Sequence, residues 1–354
     1  MKYIKIILIP IIFAIGIRLI FGADIFDDFI SVMSWTFFIT TPAGIGALMI
    51  YFSPAEKVES LKYRIFYPWI PVFLVLAITM VLMIEGWACW LMILPLFLIF
   101  ASIGGLTAGY FKLKNRKSEN LNISILVLLP FLIGPIEHSI NTNKQVFRTY
   151  TSIVINGEKE TIWNNVTNVR AISNSEDNSQ LTKILGFPRP VEATLDKNEI
   201  GGYREAKFEK GLIFHETVTE YKYLEFMKFK IKANTYEIPS TTLDRHILIG
   251  GQYFDMLDGT YELKKIDSDK YKLILYSNFS LNTTFNFYAG IWGKFIMKDI
   301  QNNILEIIKE RSEKTFANNG SSPISGSVRK KIINLTNKPI LSRQFRVAYS
   351  ANWR

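Results

Sequence analysis

The chain of 354 residues carries 41 Lys+Arg against 31 Asp+Glu, a formal net charge of +10, with 49% hydrophobic residues. Its one cysteine, Cys89, excludes an intrachain disulfide and a cysteine-based zinc site, and three histidines (His138, His215, His246) leave a His-rich metal site without support. The charge is segregated: residues 1–137 hold 10 basic and 8 acidic side chains, 138–313 hold 23 of each, and 314–354 hold 8 basic and none acidic, so the basic balance is no argument for a nucleic-acid-binding domain.

Five apolar runs come first, at about 3–21, 29–52, 67–84, 87–111 and 121–137. A helix needs ~20 residues to cross ~30 Å of hydrocarbon. Five such runs in succession predict an α-helical membrane bundle of five spans over residues 1–137. Lys2, Lys5, Lys57, Lys62, Arg64, Lys112, Lys114, Arg116 and Lys117 lie at the start of the first run or in alternate connections, while "GADIFDD" and "EG" contain no Lys or Arg. The positive-inside bias then puts the N-terminus in the cytoplasm, and five crossings put everything after Pro135 outside.

The first run also fits a cleaved signal peptide ending at "FGA", although Phe21 suits the small-residue position poorly. Cleavage leaves the sidedness of the rest unchanged. Arg18 and Glu85, near the outer ends of the first and third spans, are expected to reach lipid headgroups. Gly105-x-x-x-Gly109 permits close helix packing, and Pro10, Pro42, Pro71 and Pro95 are kinks that membrane helices tolerate.

The pattern changes after the last run. Val146–Ile155 is a β-rich stretch ended by Asn156-Gly157. In "EKETIWNNVTNV", Ile162, Val166 and Val169 share one face of a short helix, and "SQLTKILGF" reads as a second, stopped by Gly186 and Pro188. From Val191 the period is two, with strand candidates "YREAKF", "LIFHETVTEY", "EFMKFKIKA", "HILIGGQYF", "TYELKKI" and "YKLILYSNFS". Turns are expected at Glu209-Lys210-Gly211, Asp258-Gly259 and Asp267-Ser268-Asp269. Met227, Phe229 and Ile231 alternate with Lys228, Lys230 and Lys232, so the sheet has one wet face and one covered face. Its cover is expected to be the final helix, where Phe285, Tyr288, Trp292, Ile296, Ile300, Ile304 and Ile308 form a continuous apolar stripe.

This order is β-α-α, about six antiparallel strands, then one long amphipathic helix. Over about 146–313 it resembles the helix-grip fold of the START-like, or SRPBCC, superfamily, which includes polyketide cyclase/dehydrase-like and lipid-transfer proteins. The resembling pieces are "SIVINGEKETIWNNV", "GGYREAKFEKGLIFHETVTEY", "ILIGGQYFDMLDGTYEL" and "YAGIWGKFIMKDIQNNILEIIKERSE". The resemblance implies an α+β domain over 144–313, a curved antiparallel sheet around a long C-terminal helix. It also implies a deep pocket for a hydrophobic or amphipathic small molecule, and Trp163 as a core residue of the first helix.

The candidate pocket residues are Arg204, Glu216, Tyr253, Tyr288 and Trp292, with His215 and Asp255 also considered. Adjacent strand residues face opposite sides of a sheet, so His215 and Glu216 cannot both line one pocket. Glu216 shares parity with Phe214 and Val218, and a buried Glu216 paired with Arg204 reads either as a structural ion pair or as pocket chemistry. Tyr288 and Trp292 read first as helix core facing the sheet. His138, just past the last span, reads as a headgroup-level residue, and His246 has no evident partner. No nucleophile elbow, P-loop, HExxH or dinucleotide signature is present, so no catalytic residue, cofactor or metal is assigned.

A binding module therefore ranks ahead of an enzyme: a membrane-anchored, extracytoplasmic protein that holds a hydrophobic ligand, a lipid among the candidates. The alternatives are a cyclase/dehydrase-type enzyme acting on a hydrophobic substrate, or a sensor or assembly role in the membrane. Its partners are then the bilayer and a small molecule, with no nucleic acid. The high Ile, Lys and Asn content suits a bacterial inner-membrane protein with a periplasmic domain. Residues 314–354, Gly/Ser/Asn-rich and basic, are expected to be a disordered tail.

Overall fold

A computed structural model describes residues 2–26, 30–114, 123–139, 144–233, 250–251 and 253–321. His246, most of the strand expected over 246–254 and the tail beyond 321 lie outside these residues, as does the side chain of His138.

The N-terminal part is a helical bundle: α1 (Lys2–Phe21), α2 (Trp35–Phe52), α3 (Ala55–Val58), α4 (Leu61–Phe66), α5 (Trp69–Val81), α6 (Trp87–Lys114) and α7 (Ile123–Ser139). Four helical stretches, Ile4–Phe21, Trp35–Phe52, Leu61–Val81 and Trp87–Lys114, are long and apolar enough to cross a membrane. The apolar part of α7, Leu128–Glu137, is shorter. Helix α2 is central and starts six residues later than its apolar run. Ser34 caps it by accepting from the Phe37 N–H at 3.1 Å, and Glu137 accepts from the N–H groups of Trp35 and Thr36, each at 2.7 Å. A carboxylate at an otherwise unsatisfied helix N-terminus is favourable. At the other end, Lys112 Nζ donates to the carbonyls of Tyr51 and Ser53 at 2.6 and 2.5 Å.

Glycine lets α2 and α6 touch. A Cβ on Gly46 would lie 1.9 Å from the Ala101 carbonyl oxygen, and one on Gly104 would lie 2.0 Å from that of Ala43. The expected small-residue pair, Gly105 and Gly109, instead sits against Arg64 and Pro68, within the bundle. Arg18 and Glu85 do not run out to headgroups as expected. They pair with each other, with side chains 12% and 10% exposed, because two charges this far from water each need a compensating partner.

The rest is a sheet and its helices: β1 (Gln145–Asn156), α8 (Lys159–Thr167), α9 (Leu181–Leu185), β2 (Pro190–Leu195), β3 (Tyr203–Phe208), β4 (Ile213–Lys222), β5 (Phe226–Ala233), β6 (Phe254–Asp267), β7 (Lys270–Leu281) and α10 (Asn286–Ser321). The strands form one curved antiparallel half-barrel in the order β1-β7-β6-β5-β4-β3-β2. Gly186, at φ +75°, ends α9 in the left-handed conformation that glycine tolerates. The period-two reading of β5 is reproduced: Met227 and Phe229 are buried, Lys230 and Lys232 exposed.

Asp258-Gly259 is not a turn. Both residues lie inside β6, where Gly259 pairs with Phe229 of β5 and Ser277 of β7. A Cβ at Gly259 would lie 2.6 Å from the Phe229 ring. The glycine leaves room for the Phe229 ring against the strand, a role local turn statistics do not see. The covered face of the sheet packs on α8 and α10 through a core that includes Trp163, Met227, Leu273, Leu305 and Ile308. Trp163 is fully buried and donates through its ring N–H to the Tyr221 hydroxyl at 3.1 Å.

Candidate functional site

The apolar stripe of α10 is only partly spent on packing. Leu305 and Ile308 are buried, but Ile296, Ile300 and Ile304 are only half-buried. They face a cavity of about 120 Å³ between α10 and the sheet, whose opposite wall includes Ala206, Phe214 and Phe229. That is near the ~150 Å³ of an apolar cavity that takes a benzene-sized guest, and smaller than a typical drug-sized site.

Arg204 and Glu216 line this cavity. Strand register places them opposite each other on β3 and β4, and their side chains form a buried ion pair. The Arg204 guanidinium also reaches the Val166 and Thr167 carbonyls at 3.4 Å. These belong to the last turn of α8, where a cation is favoured. Its carbon Cζ stands 5.6 Å from the Phe229 ring centroid and 5.9 Å from that of Tyr261. Burial works against the Arg204 charge, but Glu216 and then Tyr261 outweigh it and hold the group above its ordinary pKa. Burial pushes the Glu216 carboxyl up, and Arg204 opposes that push. Gln301 of α10 adds a further polar group at the wall. It accepts from Thr151 at 3.1 Å and donates to Ser277 at 3.0 Å.

His215 points to the other face, as the strand parity requires, and its Nδ1 lies 2.5 Å from the Tyr203 hydroxyl. Asp255, on β6, is shifted up by burial, with Lys144 opposing.

Tyr253, Tyr288 and Trp292 are elsewhere. They line a second cavity of about 140 Å³ between the sheet domain and the bundle. Tyr288 faces the bundle, not the sheet: its hydroxyl donates to the Met92 carbonyl at 2.5 Å, while Trp292 lines the junction cavity, whose wall holds residues of both parts. Tyr253 has its hydroxyl 3.3 Å from that of Ser31. Phe285 goes further and is part of the bundle core. Its ring packs edge-on against Phe38 at 4.6 Å between centroids, while the neighbouring Phe287 stacks on Trp35 at 5.2 Å. The five sequence candidates thus divide between two cavities, Arg204 and Glu216 inside and the three aromatics at the junction.

Four residues border both cavities: Phe187, Phe254, Ile296 and Met297. None of Phe187, Phe254 or Met297 is marked by motif or charge. Only the α10 periodicity, which includes Ile296, pointed toward this place. Glu137, which caps α2 beside the junction, had no sequence signal either. Among the described residues no cluster of three or more His, Cys, Asp or Glu is arranged to hold a metal ion.

No protein-family model matches the chain, and no curated protein does. Solved structures of START/SRPBCC type are similar to part of it. A START superfamily protein from Mycobacterium smegmatis is 9% identical with a TM-score of 0.31, over 48% of this chain and 98% of that one. The Zhui aromatase/cyclase from Streptomyces sp. R1128 is 7% identical with a TM-score of 0.31, over 48% and 96%. A truncated norcoclaurine synthase from Thalictrum flavum is 10% identical with a TM-score of 0.27, over 48% and 96%. Likeness at this level carries neither a ligand nor a reaction across.

Proposed function

We propose that the chain is a membrane-anchored binding protein whose sheet domain, on the extracytoplasmic side of a five-span bundle, holds a hydrophobic ligand, a membrane lipid being the first candidate. The observation that carries this reading is the cavity under α10. Three isoleucines of one helix face remain half-buried there in an otherwise packed domain. Leaving apolar side chains short of contacts costs stability, and a ligand that fills the space restores them. A mostly apolar wall with a few convergent polar groups is the usual form of a small-molecule site.

The test is mass spectrometry of small molecules that co-purify with the full-length chain in mild detergent, set beside Ile300→Trp, which fills the cavity. Retention of an apolar molecule by the parent and its loss from the variant support the reading. A parent chain that carries nothing, and whose melting temperature no lipid raises by mass action, removes it.

A second reading has one observation in its favour, a titratable pair facing a cavity, which is a common feature of active sites. In cyclase/dehydrase-type chemistry Glu216 would move a proton on a hydrophobic substrate, and Glu216→Gln would abolish turnover without loss of ligand. Sidedness has its own test: a reporter fused after Glu313 that is active only in the cytosol would overturn the arrangement.

A further inference from the structure

The two cavities share part of their lining. Phe187, Phe254, Ile296 and Met297 each border both. On one side of this neck lies the interior of the sheet domain. On the other lies a chamber whose far wall is the bundle itself, including Phe37, Met92 and Ile93 of α2 and α6. Both of these helices are long and apolar enough to cross a membrane.

Charge along the path is compensated. Glu85 in the junction chamber is paired with Arg18, Arg204 with Glu216, and Glu192 at the edge of the interior cavity with Lys207 at 2.9 Å. A route bounded by apolar walls and matched charges favours an uncharged, flexible chain and disfavours an ion.

We propose that this neck is the loading gate of the domain: an acyl or isoprenoid chain of a bilayer lipid enters the junction chamber from the bundle side and passes between Phe187, Phe254, Ile296 and Met297 into the cavity under α10. The inference rests on the proposed ligand-binding role and adds to it a direction of entry and a ligand shape. Each chamber alone, at about 140 and 120 Å³, takes only a small guest. An elongated chain threaded through the neck occupies both. Gating then requires rotamer changes at the neck, where Phe187, Phe254 and Ile296 are partly exposed and Met297 is buried.

The experiment uses the full-length chain in liposomes containing a phospholipid with a diazirine near the end of one acyl chain. After photolysis, labelled residues are located by peptide mass spectrometry. In the parent, label is expected on the junction chamber at Met92 and on the interior at Ile300 and Ile304. Ile296→Trp narrows the neck and is expected to lower interior labelling at least tenfold while Met92 stays labelled. Met297→Ala widens it and is expected to raise the interior labelling rate several-fold, which keeps the test decisive should the tryptophan variant fail to fold. Interior labelling unchanged in these variants, or reached faster when the probe is supplied from water on cyclodextrin, overturns the gate and leaves the binding role standing. No interior label in the parent, in liposomes or in detergent, overturns both.

Discussion

Arg204→Met removes one member of a pair in which the arginine is 3% and the glutamate 4% exposed. Glu216 is then a buried carboxyl that has lost the cation compensating it, and breaking a buried pair from one side costs ~3–5 kcal/mol. The lost bonds to the Val166 and Thr167 carbonyls are long, at 3.4 Å, and add little to that figure. For a domain the size of 144–313, each kcal/mol moves the melting temperature by roughly 2–4 °C. The expected fall is therefore about 6–20 °C, read by tryptophan fluorescence of the full-length chain in detergent, with buried Trp163 as the reporter. The double variant Arg204→Met/Glu216→Leu replaces both charges by apolar volume and is expected to return to within ~1–2 kcal/mol of the parent. A single variant that melts within about 2 °C of the parent would refute the reasoning, because no uncompensated charge would then have been buried. A double variant that regains stability but no longer retains ligand assigns the pair to recognition and not to folding.

Glu176 is held by Arg311 at 2.8 and 3.0 Å. That bond lowers its pKa from 4.5 to about 2, against the opposing effect of burial. Because the folded-state value is depressed, the stabilisation is present above 4.5 and fades as pH falls toward 2. It amounts to ~1–2 kcal/mol after allowing for solvent on the pair, and Glu176→Gln should flatten the acid limb of a melting-temperature profile between these values. Gly259→Ala should cost ~1–3 kcal/mol by overpacking against Phe229, with the loss visible in chemical denaturation and relieved by Phe229→Leu. Phe285→Ala empties a bundle-core position and should cost ~3–5 kcal/mol. Hydrogen exchange should speed up in the first turns of α10 and the start of α2 but not in β6 or β7. Uniform acceleration across the sheet would count against Phe285 as a junction contact.

Much of the architecture was legible because it depends on periodicity. The helices of the N-terminal bundle show as long apolar runs, β5 as alternating Met/Phe and Lys, and α10 as a stripe at steps of three and four. Periodicity, however, reports which side chains are apolar and not what they meet. The one α10 stripe therefore hid three different environments: Phe285 in the bundle core, Tyr288 and Trp292 at the junction, and Ile296, Ile300 and Ile304 around empty space. Strand parity placed Glu216 and His215 on opposite faces correctly because that rule is local. The pairing of Arg18 with Glu85, 67 residues apart, is not local, and neither is the ring of Phe229 over Gly259. Each was misread where a short-range rule, snorkelling in one case and turn chemistry in the other, stood in for a tertiary contact.

The segregation of basic residues and the position of the junction cavity share one geometry. The connections that meet the sheet domain, around Ser31 and before Trp87, contain no Lys or Arg, whereas Lys57, Lys62, Arg64 and Lys112 lie toward the other end, where Lys112 caps α2. Basic residues near span ends resist translocation, and a domain seated on the opposite end is the arrangement that the proposed extracytoplasmic placement requires. Helix α6 begins at the junction and runs 28 residues away from it, about 42 Å at 1.5 Å per residue. Helix α7 ends back at the junction, where Glu137 caps α2. Its 17 residues return about 26 Å, close to the thickness of a thin bilayer core. A chain that leaves the junction in α6 and regains it in α7 follows the path that the proposed fifth crossing requires, and it brings the ends of α2, α6 and α7 together beside the sheet domain.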